Sequence, residues 1–130
     1  MYIDDLDTPV LVIDLDALEH NLERYQRYFD SHGIGLRPHI KTHKTLAIAA
    51  RQLAGGAAGL TCQKVGEAET MVWGGLQTDI MIPYNILGKP KLDRLMALAR
   101  QTRITASADS AHTVRGYSTA ALEWGVTLGV

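Results

Sequence analysis

The chain has 130 residues, 46% of them hydrophobic, which is enough to bury the core of one domain and excludes a disordered polypeptide. Thirteen basic and fourteen acidic residues give a net charge of −1, so nothing attracts the chain to nucleic acid or to an anionic membrane. A single cysteine excludes a disulfide scaffold, and no apolar run reaches the roughly 18–20 residues that a membrane span needs.

The first residues predict an intracellular chain that begins with a strand. Residues 1–5 are acidic, whereas a signal peptide starts with a basic and then an apolar segment, so a cytoplasmic location is expected. Residues 10–14 read Val-Leu-Val-Ile-Asp, a β-prone run, and Pro9 before it favours extended backbone at Thr8. This early strand need not belong to the same sheet as the strands that follow.

Five short β-prone segments then alternate with helical patterns. Their spacing is roughly 21–24 residues, the length of one strand, one helix and two loops. Strands that alternate with helices in this way are typically parallel and joined by right-handed crossovers. The fold class predicted is therefore α/β. The five segments begin near Gly35, Gly59, Asp79, Arg103 and Val126.

Capping signals mark the starts of most of the helices. Residues 16–19 have the form of a capping box for the first, and Thr45 is placed to cap the second. The third covers residues 65–73. Pro90 suits the first turn of the fourth, and Ser110 or Asp109 the cap of the fifth.

The last segment, residues 126–130, resembles a strand that has just begun. A doubly wound open sheet can end with such an edge strand. A (β/α)₈ barrel cannot, because it needs about 250 residues. We therefore expect the sequence to be the N-terminal part of a longer protein.

The densest polar cluster contains Arg37, His39, Lys41 and His43 and lies at the end of the first segment of the repeat. Active sites of parallel α/β folds occur at the carboxyl ends of the strands. If the segment is extended, Arg37, His39 and Lys41 share one face. A lysine that faces a barrel mouth is partly desolvated, which lowers its pKa and provides the neutral amine that Schiff-base chemistry requires.

Two other interpretations of this cluster remain open. A solvated basic loop fits the residue types equally well. A metal site at His39 and His43 is disfavoured, because their spacing binds zinc when both lie on a helix and Pro38 argues for a strand.

Residues 37–44, RPHIKTHK, closely resemble the RPHxKxHK segment of the D-threonine aldolase and D-serine dehydratase group. These are pyridoxal-phosphate enzymes of the alanine racemase-like fold type. Four further matches follow the same order along the chain, which makes the resemblance more specific than any single motif. They are residues 7–14 with DTPxLxxD, 61–68 with CQKxxEA, 85–92, and 108–110 with VDS.

The resemblance implies the fold and several site residues. Residues 1–15 would form a strand of a C-terminal β domain, and residues 16–130 the first half of a pyridoxal-phosphate-binding (β/α)₈ barrel. Lys41 would be the Schiff-base lysine and Lys44 a bystander. Arg37 and His39 would neighbour the cofactor, and Gln63 would lie at the catalytic rim.

The implied function is a lyase acting on a D-3-hydroxy amino acid, by aldol cleavage or dehydration. An amino-acid racemase, a non-catalytic pyridoxal-phosphate carrier and an α/β binding module without the cofactor remain alternatives. A divalent metal, manganese or zinc, is implied, with ligands beyond residue 130. A homodimer is expected for the full-length protein, and the 130-residue chain alone is expected to be inactive.

Overall fold

The computed structural model describes residues 2–130, and Met1 lies outside the described part. Helices and short strands alternate along this chain, as the sequence predicts. A short 3₁₀ turn, Ile3–Asp5, precedes them. The elements are α1 (Leu15–Ser31), α2 (Leu46–Ala54), β1 (Leu60–Thr61), α3 (Val65–Trp73), β2 (Ile80–Ile82), α4 (Lys89–Ala99), β3 (Ile104–Ala106) and α5 (Ala111–Trp124).

The three strands form a parallel sheet in chain order, β1-β2-β3. Two isolated parallel bridges, His39 to Thr61 and Thr105 to Gly129, extend the ladder to five neighbouring segments. The predicted α/β fold with parallel strands is thereby confirmed. The strand order has no reversal within the described residues, whereas a doubly wound open sheet reverses near its centre, so the order does not fit that alternative.

The two faces of the sheet differ in burial. Leu60, Ile80 and Ile104 occupy equivalent positions and are at most 1% exposed beneath the helices. Their successors in the chain point the other way, because side chains alternate across a strand. This opposite side, here called the inner face, is only half-buried. One row of it consists of His39, Thr61, Met81, Thr105 and Gly129.

The cap of α1 differs from the prediction. The helix begins at Leu15, so Asp14 is the capping residue, and its carboxylate accepts a hydrogen bond from the Ala17 N–H at 3.0 Å. The predicted capping box at residues 16–19 is therefore wrong by two positions. Asp14 and Asp16 are both residue types that cap helices, and only the start of the helix shows which of them does so.

The other caps follow the sequence more closely. Ser110 Oγ accepts from the Thr113 N–H at 3.2 Å, and Pro90 lies in the first turn of α4, both as predicted. Thr45 does precede α2, but its hydroxyl donates to the His43 carbonyl at 2.7 Å instead of capping the helix. The Thr45 hydroxyl is therefore used within the loop before α2 and does not cap the helix.

Residues 10–14 do not form the predicted strand. Their apolar side chains are between 45% and 90% exposed, and no β partner for them exists in residues 2–130. A strand needs a neighbour for its N–H and C=O groups. The assignment of residues 1–15 to a C-terminal β domain, and of 16–130 to half a barrel, stays a prediction. No helix within the described residues is long and apolar enough to cross a bilayer.

Charged residues cluster at the amino ends of the strands, on the inner face. Arg37 Nη1 donates to the Asp79 carbonyl oxygen at 2.9 Å and to its carboxylate at 3.1 Å. Arg103 lies 3.5 Å from the second carboxylate oxygen of Asp79. The Arg37 side chain crosses over Gly59, where a Cβ would overlap both Arg37 Nη1 and the Asp79 carbonyl oxygen. This close approach requires glycine.

The substitution Gly59→Ala should therefore lower the free energy of unfolding by roughly 1–3 kcal/mol, the usual cost of overpacking. Gly116→Ala is the matched control, because a Cβ there would lie 3.7 Å from Leu92 Cδ1, an ordinary contact within α5. That change should stabilise the protein by about 0.5–1 kcal/mol, since glycine is unfavourable inside a helix. Urea denaturation measures both, and equal effects of the two substitutions would contradict the close-approach argument.

Candidate active site

The site is built on a tight turn, residues 40–44, at the carboxyl end of the first strand segment. The Ile40 N–H donates to the Thr61 carbonyl at 2.9 Å, which ends the ladder, and the Lys44 N–H donates to the Ile40 carbonyl at 2.7 Å. Lys44 has a φ of 50°, in the left-handed region that lysine rarely adopts. Lys41 lies inside the turn with its side chain exposed.

The two lysines of the turn differ in their partners. The Lys44 ammonium forms an ion pair with Glu67 Oε1, and Glu67 is only 6% exposed. Within residues 2–130, no ion pair or hydrogen bond engages the Lys41 amine. Of the two amines in this turn, that of Lys41 is therefore the one without a partner among the described residues.

Glu67 connects the loops that follow two neighbouring strands. Its Oε2 accepts from the Gln63 N–H at 2.8 Å, after β1, while Oε1 holds Lys44, after the preceding segment. Burial acts to raise the pKa of Glu67, but the hydrogen bonds from Lys44 and Gln63 and the charges of Lys44 and Lys64 outweigh it and leave the pKa below its usual value. The carboxylate is thus ionised at neutral pH.

His39 presents an unsatisfied donor on the inner face. Its Nδ1 accepts from the Lys41 N–H at 3.3 Å, so the ring hydrogen is on Nε2, which is buried and has no hydrogen-bond partner in the described chain. Burial first, then the charge of Lys41 and, less strongly, that of Lys44 lower the pKa of His39, while Glu67 and the Thr61 backbone oppose them. A buried donor without a partner is costly, so it points to a missing acceptor.

The structure does not bring Arg37 together with His39 and Lys41, contrary to the expectation from their shared face. The guanidinium turns towards the amino ends of the strands and pairs with Asp79, as described above. Residues two apart in a strand share a face, but a long side chain can extend along that face towards an oppositely charged group. The contacts with Asp79 favour a structural role for Arg37, and its predicted place beside the cofactor stays a prediction.

Gln63 and Asn85 both lie at the carboxyl edge, where the sequence placed them. Both are exposed, and Gln63 is held through its backbone N–H by Glu67. Asn85 Oδ1 accepts from the Asp109 N–H at 3.2 Å and so joins the loops after β2 and β3. Gln63 therefore keeps a side chain available at this rim.

Tyr117 of α5 braces the same two loops and was missed by the sequence analysis. Its hydroxyl accepts from the Ile86 N–H at 2.8 Å and donates to the Ser107 carbonyl at 2.9 Å, and the residue is 2% exposed. Burial raises the pKa of Tyr117, so the hydroxyl keeps its proton. The available signal was a tyrosine in an apolar helix stripe, because a buried phenol needs a polar partner.

Neither Cys62 nor His43 belongs to the chemistry. Cys62 is fully buried, and burial, with Glu67 nearby, raises the pKa of its thiol to about 12, so this side chain packs in the core and is not a nucleophile. His43 Nδ1 accepts from the Thr45 N–H at 3.0 Å, and Nε2 lies 3.3 Å from Gln52 Oε1. Among residues 2–130, no group of three or more side chains is arranged to hold a metal ion.

A groove of about 880 Å³ lies elsewhere, between α1 and α2. Leu36 and Pro38 border it, so it opens on the helix side of the sheet and does not reach Lys41. We place the candidate active site at the carboxyl edge instead. Lys41 and His39 both lie there, and neither the Lys41 amine nor His39 Nε2 has a partner among the described residues.

Because the Tyr117 hydroxyl bonds both loops, Tyr117→Phe should lower the free energy of unfolding by about 1–3 kcal/mol. The substitution leaves the Ile86 N–H and the Ser107 carbonyl without their partner. Tyr84→Phe is the control, since Tyr84 is 42% exposed and its hydroxyl makes no hydrogen bond within residues 2–130. Urea denaturation of both variants tests this, and a cost for Tyr117→Phe no greater than that for Tyr84→Phe would contradict it.

Comparison with known proteins gives a family match over most of the chain. The family described as alanine racemase, N-terminal domain, matches residues 13–130. A D-threonine aldolase from an Arthrobacter species is 45% identical over 125 residues, which are 96% of this chain and 33% of that protein. A D-threo-3-hydroxyaspartate dehydratase from a Delftia species is 47% identical over 96 residues, 74% of this chain and 25% of the relative.

A solved structure agrees with these matches. The crystal structure of D-threonine aldolase from Filomicrobium marinum superposes with a TM-score of 0.94 at 42% identity, and covers 97% of this chain and 34% of that one. The chain thus spans about a third of the length of the curated relatives it matches.

Proposed function

The chain belongs to the alanine racemase N-terminal domain family, and we propose that it supplies the cofactor-binding part of a pyridoxal-phosphate-dependent lyase acting on D-3-hydroxy amino acids. The names of the relatives, an aldolase and a dehydratase, support this reaction class. The observation that carries the proposal is the exposed Lys41 amine, which has no partner among the described residues, in the turn that follows His39 at the carboxyl edge of a parallel sheet.

The residues present fit an aldehyde cofactor. Lys41 would hold pyridoxal phosphate covalently through Nζ, because an amine without a counter-ion is the group that condenses with an aldehyde. The unpartnered His39 Nε2–H would donate to an acceptor atom of the cofactor. The exposed Gln63 amide would lie at the rim of the same site. Arg37 is left out, because Asp79 engages it.

When bound, pyridoxal phosphate supplies an electron-accepting ring that stabilises negative charge on the substrate Cα. This chain contributes the proton chemistry at that atom. Lys41 Nζ is its candidate acid or base at Cα, and would return a proton there after aldol cleavage or remove one for dehydration. His39 stays neutral beside it and holds its hydrogen on Nε2, so that it serves as a donor.

Aldolase and dehydratase differ in which bond of the substrate breaks. Aldol cleavage breaks Cα–Cβ and gives glycine and an aldehyde, whereas dehydration removes the α-proton and expels the β-hydroxyl. Relatives of both kinds match this chain at similar identity, so the proposal covers both. A racemase, which returns the proton to the other face of Cα, is the second candidate because of the family to which the chain belongs.

The remaining expectations concern the complete protein. A divalent metal would have to be bound by other residues, since the described residues contain no suitable group, and no step is derived through it. One dehydratase relative was solved in a form described as metal-free. The homodimer and the cytoplasmic location stay predictions.

Borohydride reduction of the complete protein with pyridoxal phosphate should trap a stable adduct on Lys41, identified by peptide mass spectrometry. Lys41→Ala should abolish that adduct together with the visible absorbance of the bound cofactor. Lys91→Ala removes an exposed lysine of α4 and should leave both unchanged. An adduct confined to another lysine would contradict the assignment.

Incubation of the complete protein with D-threonine, D-serine or D-threo-3-hydroxyaspartate, with and without manganese or zinc, tests the reaction class. We expect glycine and an aldehyde from an aldolase, and an oxo acid with ammonia from a dehydratase. Lys41→Ala should reduce either activity by at least about 100-fold, because proton transfer and covalent attachment both depend on this amine. Formation of the Cα epimer with the Cα–Cβ and Cβ–O bonds intact would identify a racemase, and bound cofactor without turnover a carrier.

A further inference from the structure

We propose that Glu67 is a positioning residue that directs the aldehyde of the cofactor to Lys41 and away from Lys44. It would do so by engaging the Lys44 ammonium and by fixing the turn of residues 40–44 against the loop after β1. The inference rests on the proposed function and adds a role that neither the family match nor the resemblance assigns.

The first argument is the location of the carboxylate. Glu67 lies in the first turn of α3 and is 6% exposed, a burial that an ionised group tolerates only when it is well paired. Both of its oxygens are used: one binds the Lys44 ammonium, and the other accepts from the Gln63 N–H at 2.8 Å. A buried charge with two fixed partners therefore connects two rim loops whose preceding segments are paired through the ladder bridge between His39 and Thr61.

The second argument is the backbone of the turn. Lys44 has a φ of 50°, and no other non-glycine residue among residues 2–130 has a positive φ. Lysine disfavours this conformation, so the surroundings must hold it. The hydrogen bond from the Lys44 N–H to the Ile40 carbonyl and the ion pair with Glu67 hold it from both ends of the residue. Lys41 lies within the loop that these two contacts close.

The third argument is chemical. The turn carries two primary amines three positions apart, and an aldehyde reacts with the neutral form of an amine. The Lys44 amine is engaged as a donor by the buried Glu67 carboxylate, so its nitrogen is not available as a nucleophile while that contact is intact. The Lys41 amine has no such partner in the described residues. The ion pair therefore selects one of two otherwise similar nucleophiles.

Glu69 provides a matched control on the same helix. It is 5% exposed and forms a two-point ion pair with Arg94 of α4, with Arg94 Nε donating to Oε1 at 2.7 Å. Glu69→Gln thus removes an equally buried, equally paired charge from α3 without touching the turn. Glu67→Gln removes the charge that holds Lys44. A general effect of losing a buried carboxylate would be the same in both variants.

The test is borohydride trapping of pyridoxal phosphate in the complete protein, with adducts on Lys41 and Lys44 counted by peptide mass spectrometry. In Glu67→Gln we expect the rate of Lys41 labelling to fall by about tenfold, because a displaced amine loses its alignment, and an adduct to appear on Lys44. Glu69→Gln should label Lys41 as the wild type does and leave Lys44 unmodified. Circular dichroism confirms that each variant is folded.

Lys44→Met gives a second measurement should Glu67→Gln fail to fold. It leaves Lys41 as the one amine of the turn but removes the contact with Glu67, so Lys41 labelling should again fall by about tenfold. If a folded Glu67→Gln or Lys44→Met variant labels Lys41 at the rate seen for Glu69→Gln, the positioning role is overturned and the proposed function is left intact. A wild-type protein without any Lys41 adduct would overturn both.

Discussion

The register of the parallel ladder is the constraint on which the rest of this structure depends. It pairs His39 with Thr61, Thr61 with Met81, and Met81 with Thr105, so these side chains share the inner face. A slip of one residue would turn His39 into the helix layer and expose Ile40, which is now fully buried. The hydrophobic residues that fix the sheet against the helices therefore also decide which polar residues reach the site.

Much of the fold could be predicted, because β-prone segments, caps and helix stops are local signals. Every predicted segment of the repeat takes part in the ladder, but strands of two or three residues and single bridges replace the five or more residues expected. The length of a ladder depends on the number of residues over which adjacent segments remain paired. The sequence of a single segment does not show that number. Residues 10–14 show the same limit: their pattern is β-prone, and no partner is within reach in the described chain.

The site could be located from the sequence, but its members could not be ranked without distant residues. Arg37 lies beside His39 in the motif, yet Asp79 and the side-chain-free Gly59 decide where its guanidinium lies. The shared face of an extended segment favoured Lys41, and the family resemblance made it the Schiff-base lysine, but neither gave a physical reason why Lys44 should not react. The structural distinction comes from Glu67, more than twenty residues further along the chain.

Two of the three arginine and lysine side chains in residues 37–44 are paired with carboxylates, and the third is not. Asp79 neutralises Arg37 at the amino ends of the strands, and Glu67 neutralises Lys44 behind the turn. Burial keeps the imidazole of His39 neutral. Lys41 is the one cationic side chain of this segment that has no counter-charge among the described residues. Pairing, and not deep burial, therefore sets this amine apart, because its side chain is exposed whereas the carboxylate that engages its neighbour is not. In the proposed function, this arrangement leaves the Lys41 amine open to a ligand, while Glu67 is buried and Lys44 adopts the unusual backbone conformation.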